Sequence, residues 1–334
     1  MNLIRKIAFP IVLAYYAVTS LRNTLYDLGI KKSISYSFPI ICVGNLSVGG
    51  TGKTPMVEYL INLLKDDYKV ATLSRGYKRK TKGFQLADAF SSAKTLGDEP
   101  FQFYNKFKKD VFVSVDANRT NGIEQLLQLE NSPEVILLDD AFQHRKVKAG
   151  LNILLTTYAN PYVSDYVLPI GNLRESRSGA KRANIIVVTK CPETIGVIEK
   201  QSLLEKISPT KNQHVFFSSI SYSEAVISEA NKKSINALSN FTLITGIANA
   251  KPLVNFLKNK NLQFEHLNFK DHHEFSEQDI SVLETKEFII TTEKDFMRLK
   301  QYDTLKAKLF YLPITVTIDN SVTFDSLIKT FVTS

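Results

Sequence analysis

The stretch FPIICVGNLSVGGTGKTPM, residues 38–56, decides the fold. Its first half, Pro39 to Val43, is apolar and β-branched and reads as a buried strand. Its second half is a glycine-rich loop ending in Gly52, Lys53 and Thr54, where a helical pattern begins. Strand, loop and helix in that order make a phosphate cradle. Ser47, Val48, Gly49, Gly50, Thr51, Gly52, Lys53 and Thr54 are its nucleotide-binding residues. The glycines let the chain turn tightly and aim its N–H groups inward, at the positive end of the following helix. Lys53 is expected to reach the β- and γ-phosphates of ATP, and the Thr54 hydroxyl to hold Mg²⁺. The general pattern has glycine five residues before Gly52, where this chain has Ser47.

Working outward, VILLDD at 135–140 supplies the second half of such a site. A buried parallel strand delivers Asp139 and Asp140 from its carboxyl end to the metal shell. Further strands are expected at 69–73, 111–115, 151–156 and 184–189, with helices at 57–64, 101–108 and 118–129 between some of them. From Val215 the alternation restarts, with strands in VFFSSI, FTLITGI, LQFEHLNF, EFIITT and LFYLPITV and three helices between them. This is the pattern of an α/β protein with a second, smaller α/β domain.

Between these elements lie polar groups with two readings each. Asp98 and Glu99 in GDEP either cap the next helix or place a catalytic carboxylate beside the phosphates. Arg75 stands where a strand runs out into a loop, and Arg174 and Glu175 form a neighbouring cation and anion after LPIGNL. His272, beside Asp271, is a general base, the orienter of one, or a solvated side chain. Thr189-Lys190-Cys191-Pro192 begins like a guanine-reading NKxD sequence but has proline in place of the aspartate, so guanine specificity is not supported. Pro192 reads instead as the first residue of a helix to about Ile207.

The chain has 334 residues, 44% hydrophobic and 22% charged, which argues against disorder, and a net charge of +9, which favours an anionic partner. Two cysteines exclude a disulfide framework or a Cys-rich zinc site and fit a reducing compartment. No stacking-aromatic or basic-helix motif calls for nucleic acid, and no obligate protein partner is evident. At the start, Ile4, Ile7, Ile11, Ala14, Val18, Leu21 and Leu25 form one helical stripe flanked by Arg5, Lys6 and Arg22. The uncharged run from Ile7 to Ser20 is too short for a bilayer span, so an interfacial helix is expected. A signal peptide has a similar outline, but the cradle needs the cytosolic ATP pool. A helix packed on the domain is the other reading.

VGNLSVGGTGKTP, SRGY, GDEP, LLDDAFQH, LPIGNLRES, TGIA, DHHEF and TTEKD, in that order, resemble the tetraacyldisaccharide 4'-kinases of Gram-negative bacteria, from the N-terminus to at least Asp295. The family also has a non-glycine residue at the position of Ser47. It usually has glycine where Ala141 stands. The resemblance implies ATP-dependent phosphorylation of the 4'-hydroxyl of a tetraacylated disaccharide 1-phosphate lipid. It also implies a peripheral, monotopic protein on the cytoplasmic face of the inner membrane, against an anionic lipid surface. The expected organisation is a membrane-associating amphipathic helix at 1–28, a P-loop kinase core at 29–214 and a smaller α/β domain at 215–334.

Under this resemblance Asp98 is the general base, with His272 as its dyad partner, and Lys53 is the third catalytic residue. Thr54, Asp139, Asp140 and Glu175 serve Mg²⁺, while Arg75, Arg174 and Gln143 bind acceptor or stabilise charge. A non-catalytic nucleotide switch or assembly factor is the alternative of a different class; it predicts water as the only phosphoryl acceptor.

Overall fold

The computed structural model describes residues 9–271 and 273–334. The strand of the opening stretch, Ile40–Asn45, is buried at every residue and lies between the parallel strands Val135–Asp139 and Leu151–Thr157. Side chains alternate across it, as a period of two requires: Ile41 and Val43 enter one core, Ile40 and Cys42 the other. A strand buried on both faces favours apolar side chains, which is why Ile40 to Val43 reads as an unbroken apolar run before the strand ends at buried Asn45. The nine-stranded sheet around it runs Ile314–Ile318, His214–Tyr222, Ile185–Thr189, Leu151–Thr157, Ile40–Asn45, Val135–Asp139, Val70–Ser74, Val111–Val115, Gln85–Leu86. Only the two edge pairings are antiparallel.

One face is covered by the helices Lys53–Leu64, Asp98–Phe107 and Ser321–Thr333, through residues such as Leu60, Phe103 and Phe324. The other is covered by Arg119–Leu127 and Val197–Ile207. The helix expected from Pro192 begins only at Val197, because Glu199 reaches back to the Gly196 N–H and fixes the start there.

A second, six-stranded sheet is built from 225–311, in the order Lys232–Ser234, Ala225–Ile227, Leu309–Tyr311, Ile289–Thr291, Phe241–Thr245, Phe264–Asn268. Its helices are Lys251–Asn259, Glu277–Glu284 and Glu293–Leu299. Division at 214/215 therefore does not follow the sheets. His214–Tyr222 and Ile314–Ile318 pair with each other inside the large sheet, and Ser321–Thr333 packs on its core. The apolar segment LFYLPITV conceals the change. Pro313 splits it into a strand of the small sheet and a strand of the large one.

The helix Phe9–Asp27 lays its polar side against the loops at 143–145 and 174–175. Tyr15 Oη donates to Arg174 O (2.7 Å), Arg22 to Gln143 O (2.5 Å) and Asn23 Nδ2 to Glu175 Oε2 (2.6 Å). Of the expected stripe, Ile4 and Ile7 lie outside the described residues, Ala14 is exposed, and Leu25 is half-buried. Val18 and Leu21 are 67% and 62% exposed, as is Leu13 at 58%. Among the described residues no helix is long and apolar enough to cross a membrane.

Candidate active site

The site lies at the carboxyl ends of the central strands, where open α/β sheets receive ligands. Gly52 has φ 88°, a left-handed conformation that L side chains rarely adopt, and it immediately precedes the helix of Lys53 and Thr54. The cradle is held from two sides. Val48 N–H donates to Asn172 O (2.8 Å) and Arg174 N–H to Leu46 O (2.7 Å), and Ser47 bridges to Leu173, so LPIGNLRES forms one wall. On the other side Thr189 Oγ1 donates to Thr51 O (2.7 Å) and Lys190 Nζ to Gly50 O (2.6 Å). Two successive carbonyls are thereby satisfied by protein, so that they need not face an anion. Sequence reading missed this use of Thr189 and Lys190: the failed NKxD match was a signal for a loop beside the cradle, not for base recognition.

Asp140 is the meeting point of the cations. Lys53 Nζ lies 3.6 Å from Asp140 Oδ1, and one nitrogen of Arg174 lies 3.0 Å from each carboxylate oxygen. Burial pushes the Asp140 carboxyl up, but Lys53 and Arg174 outweigh it and hold it below the usual range. Asp140 also carries the left-handed backbone of this turn, φ 47°, while Ala141 does not appear among the positive-φ residues. An alanine in place of the family's glycine is thus accommodated.

Asp139 differs. It is buried, Ser74 Oγ donates to its Oδ2 (3.2 Å), and its Oδ1 has no hydrogen-bond partner among the described residues. Burial, with the charges of Glu99 and Asp140, pushes its carboxyl up to about 7 against the pull of Lys53. A buried acid with an orphan oxygen, beside a phosphate cradle, fits a divalent cation. Among the described residues no group of three or more His, Cys, Asp or Glu could hold a metal. A cation here would therefore draw its remaining ligands from phosphate and water, as Mg²⁺ does.

The other expected residues fall into three groups. Gln143 Nε2 donates to Asn45 O (2.8 Å) and Glu175 Oε1 (3.0 Å), and buried Glu175 also accepts from Arg182 (2.8 Å) and Asn23, so this pair ties the N-terminal helix to the site loops. Thr54 lies partly buried in the first helical turn after the cradle, and Arg75 is exposed at the strand end, close enough to Arg119 and His144 for its charge to act on both. Burial, with the cations around it, pushes His144 down to about 4. Asp98 opens the helix Asp98–Phe107, and its neighbour Glu99 is near enough to act on Asp139, which brings GDEP beside the acid strand. Asp98 is ion-paired with Arg298 of the smaller unit, a residue that sequence reading passed over. His272 lies outside the described residues.

A family model described as tetraacyldisaccharide-1-P 4'-kinase matches residues 4–333. A tetraacyldisaccharide 4'-kinase of Flavobacterium johnsoniae is 53% identical, with 99% of this chain and 98% of that protein aligned. One of Bacteroides thetaiotaomicron is 44% identical over 94% of this chain and 89% of its own length. Among solved structures, LpxK of Aquifex aeolicus in complex with ATP superposes with a TM-score of 0.80 at 32% identity, covering 98% of this chain and 99% of that one. The chain belongs to the tetraacyldisaccharide-1-P 4'-kinase family.

Proposed function

We propose that this protein transfers the γ-phosphoryl group of ATP to the 4'-hydroxyl of a tetraacylated disaccharide 1-phosphate, a step of lipid A biosynthesis. The observation that carries the reading is the convergence of Lys53, Arg174 and Asp140 beside the orphan oxygen of Asp139, at a glycine cradle. Family membership supports the acceptor and disfavours a nucleotide switch.

The cradle amides and Lys53 bind the phosphates. Asp98 takes the proton of the 4'-hydroxyl as its oxygen bonds to the γ-phosphorus, and the bond to the β-phosphate oxygen breaks to release ADP. His272 partners Asp98, as the resemblance implies. Thr54 with Asp139 and Asp140 would hold Mg²⁺, which neutralises developing phosphate charge when bound. Glu175 is left to bracing, because Gln143, Arg182 and Asn23 already occupy its oxygens. Arg174 and Arg75 serve the charge of the acceptor or of the transferring group.

The helix that turns its polar side inward leaves Leu13, Val18 and Leu21 outward, a surface suited to the acyl boundary of an anionic membrane. On this reading the protein works from the cytoplasmic face of the inner membrane, where its acceptor is anchored. The test is transfer of labelled γ-phosphate from ATP to tetraacyl disaccharide 1-phosphate in mixed micelles, with wild type beside Asp98→Ala and Lys53→Ala. A labelled lipid that disappears in both variants supports the reading; ATP hydrolysis without lipid labelling sinks it. For the membrane, Leu21→Glu should lower co-sedimentation with anionic vesicles by roughly tenfold, the loss of one buried leucine.

A further inference from the structure

The structure assigns Arg298 as a positioning residue for Asp98: the smaller unit holds the carboxylate of the larger one through a relay Asp295–Arg298–Asp98. The inference rests on Asp98 being the general base and adds what orients it.

Asp98 and Arg298 stand 200 positions apart in the chain. Arg298 Nε donates to Asp98 Oδ2 (3.2 Å), and a terminal nitrogen of the same guanidinium donates to that same oxygen. The other terminal nitrogen donates to Asp295 Oδ1 (3.2 Å). The guanidinium is thus gripped along two edges, and a planar fork gripped twice has one orientation.

Its seat is fixed in turn. Asp295 is fully buried, and its Oδ2 accepts from the Gly246 N–H (2.8 Å) and from Thr292 Oγ1 (2.8 Å). Gly246 of TGIA and Thr292 and Asp295 of TTEKD, to which the transfer steps above give no role, build this seat. At the far end the backbone of Asp98 is equally constrained. Gly97 precedes it at φ 93°, and a Cβ there would come within 2.9 Å of Tyr77 O. Helix start and guanidinium together leave the Asp98 carboxylate little rotational freedom. Both of these arginine contacts fall on Oδ2. Removing Arg298 would keep the base and release its aim.

A double-mutant cycle in the full-length protein tests this, read as kcat and KM for ATP and for the lipid in mixed micelles, with thermal melting of every variant. Arg298→Met should lower kcat by about 10²-fold while both KM values stay within about threefold, since misaiming a base forfeits most of its ordinary contribution. Arg298→Lys, which keeps the charge without the fork, should recover about tenfold of that loss. In an Asp98→Asn background, Arg298→Met should cost less than about twofold, because a residue acting through another has nothing left to orient. Losses that multiply across the cycle, or that fall on KM, overturn the assignment while leaving Asp98 as the base. If Asp98→Asn alone keeps its kcat, the base reading falls, and the relay with it. Should Arg298→Met melt below the assay temperature, Arg298→Lys carries the test: a native melt with unchanged kcat overturns the relay.

Discussion

The cradle and the joint between the two sheets handle charge in opposite ways. At the cradle the work falls on backbone groups: glycine angles set the loop, Val48 N–H donates to Asn172 O, and the Thr189 and Lys190 side chains donate to the carbonyls of Thr51 and Gly50. At the joint the work falls to side chains. Arg298 meets Asp98, Lys106 Nζ lies 2.6 Å from Glu58 and 3.3 Å from Glu293, and Lys300 meets Asn105. A loop made of backbone is written in consecutive residues. A joint made of side chains is written in residues that become neighbours only after folding.

The contrast can be broken by four measurements. Lys53→Ala should cost about 10³-fold in kcat/KM with an unchanged melting temperature, the scale of losing one preorganised charge in the transition state. An equal loss from any neutral substitution in the loop would dissolve the distinction between its charge and its backbone. Asp98→Asn should lower kcat by about 10²-fold and leave the Kd for ATP unaltered, as measured by calorimetry. Weakened ATP binding would instead make the joint part of the cradle. Lys190→Ala should raise the Kd for ATP by about tenfold through the released Gly50 carbonyl, with the KM for lipid unmoved.

The smallest effect concerns Glu293. Burial, with repulsion from Glu58 and against the pull of Lys106, raises its carboxyl from 4.5 to about 7. The folded state then holds a proton that the unfolded chain releases, so stability falls as pH climbs from about 4.5 to about 7. Glu293→Gln removes that titration. Its melting temperature relative to wild type should rise by a few degrees, about 2–6 °C, between pH 5 and pH 8. A difference that stays flat with pH would mean the joint tolerates this charge.

Much of the large sheet was legible because its strands are buried on both faces and cannot disguise themselves. The cradle and the acid strand were legible for the same reason, with Asp139 and Asp140 where the apolar run stops. Ala225–Ile227 and Lys232–Ser234 were lost inside a polar segment, since strands of three residues carry little pattern. The helix start at Val197 was misread because a proline suits a turn as well as a first helical residue. Asp295 and Arg298 did leave a trace, an acid and an arginine three apart on one helix face. Nothing local in that trace names Asp98, because the third partner comes from the other sheet.

Tyr222 and Ile314 are register partners in the large sheet, and everything between them builds the smaller one. The two ends of the insertion thus leave side by side, at a distance that a tight hairpin turn spans. In topological terms the larger body is a closed circuit without its guest. An excision at that seam would remove Asp295 and Arg298 while leaving the cradle and Asp98 in the larger body, so the proposed relay can be taken away without its base.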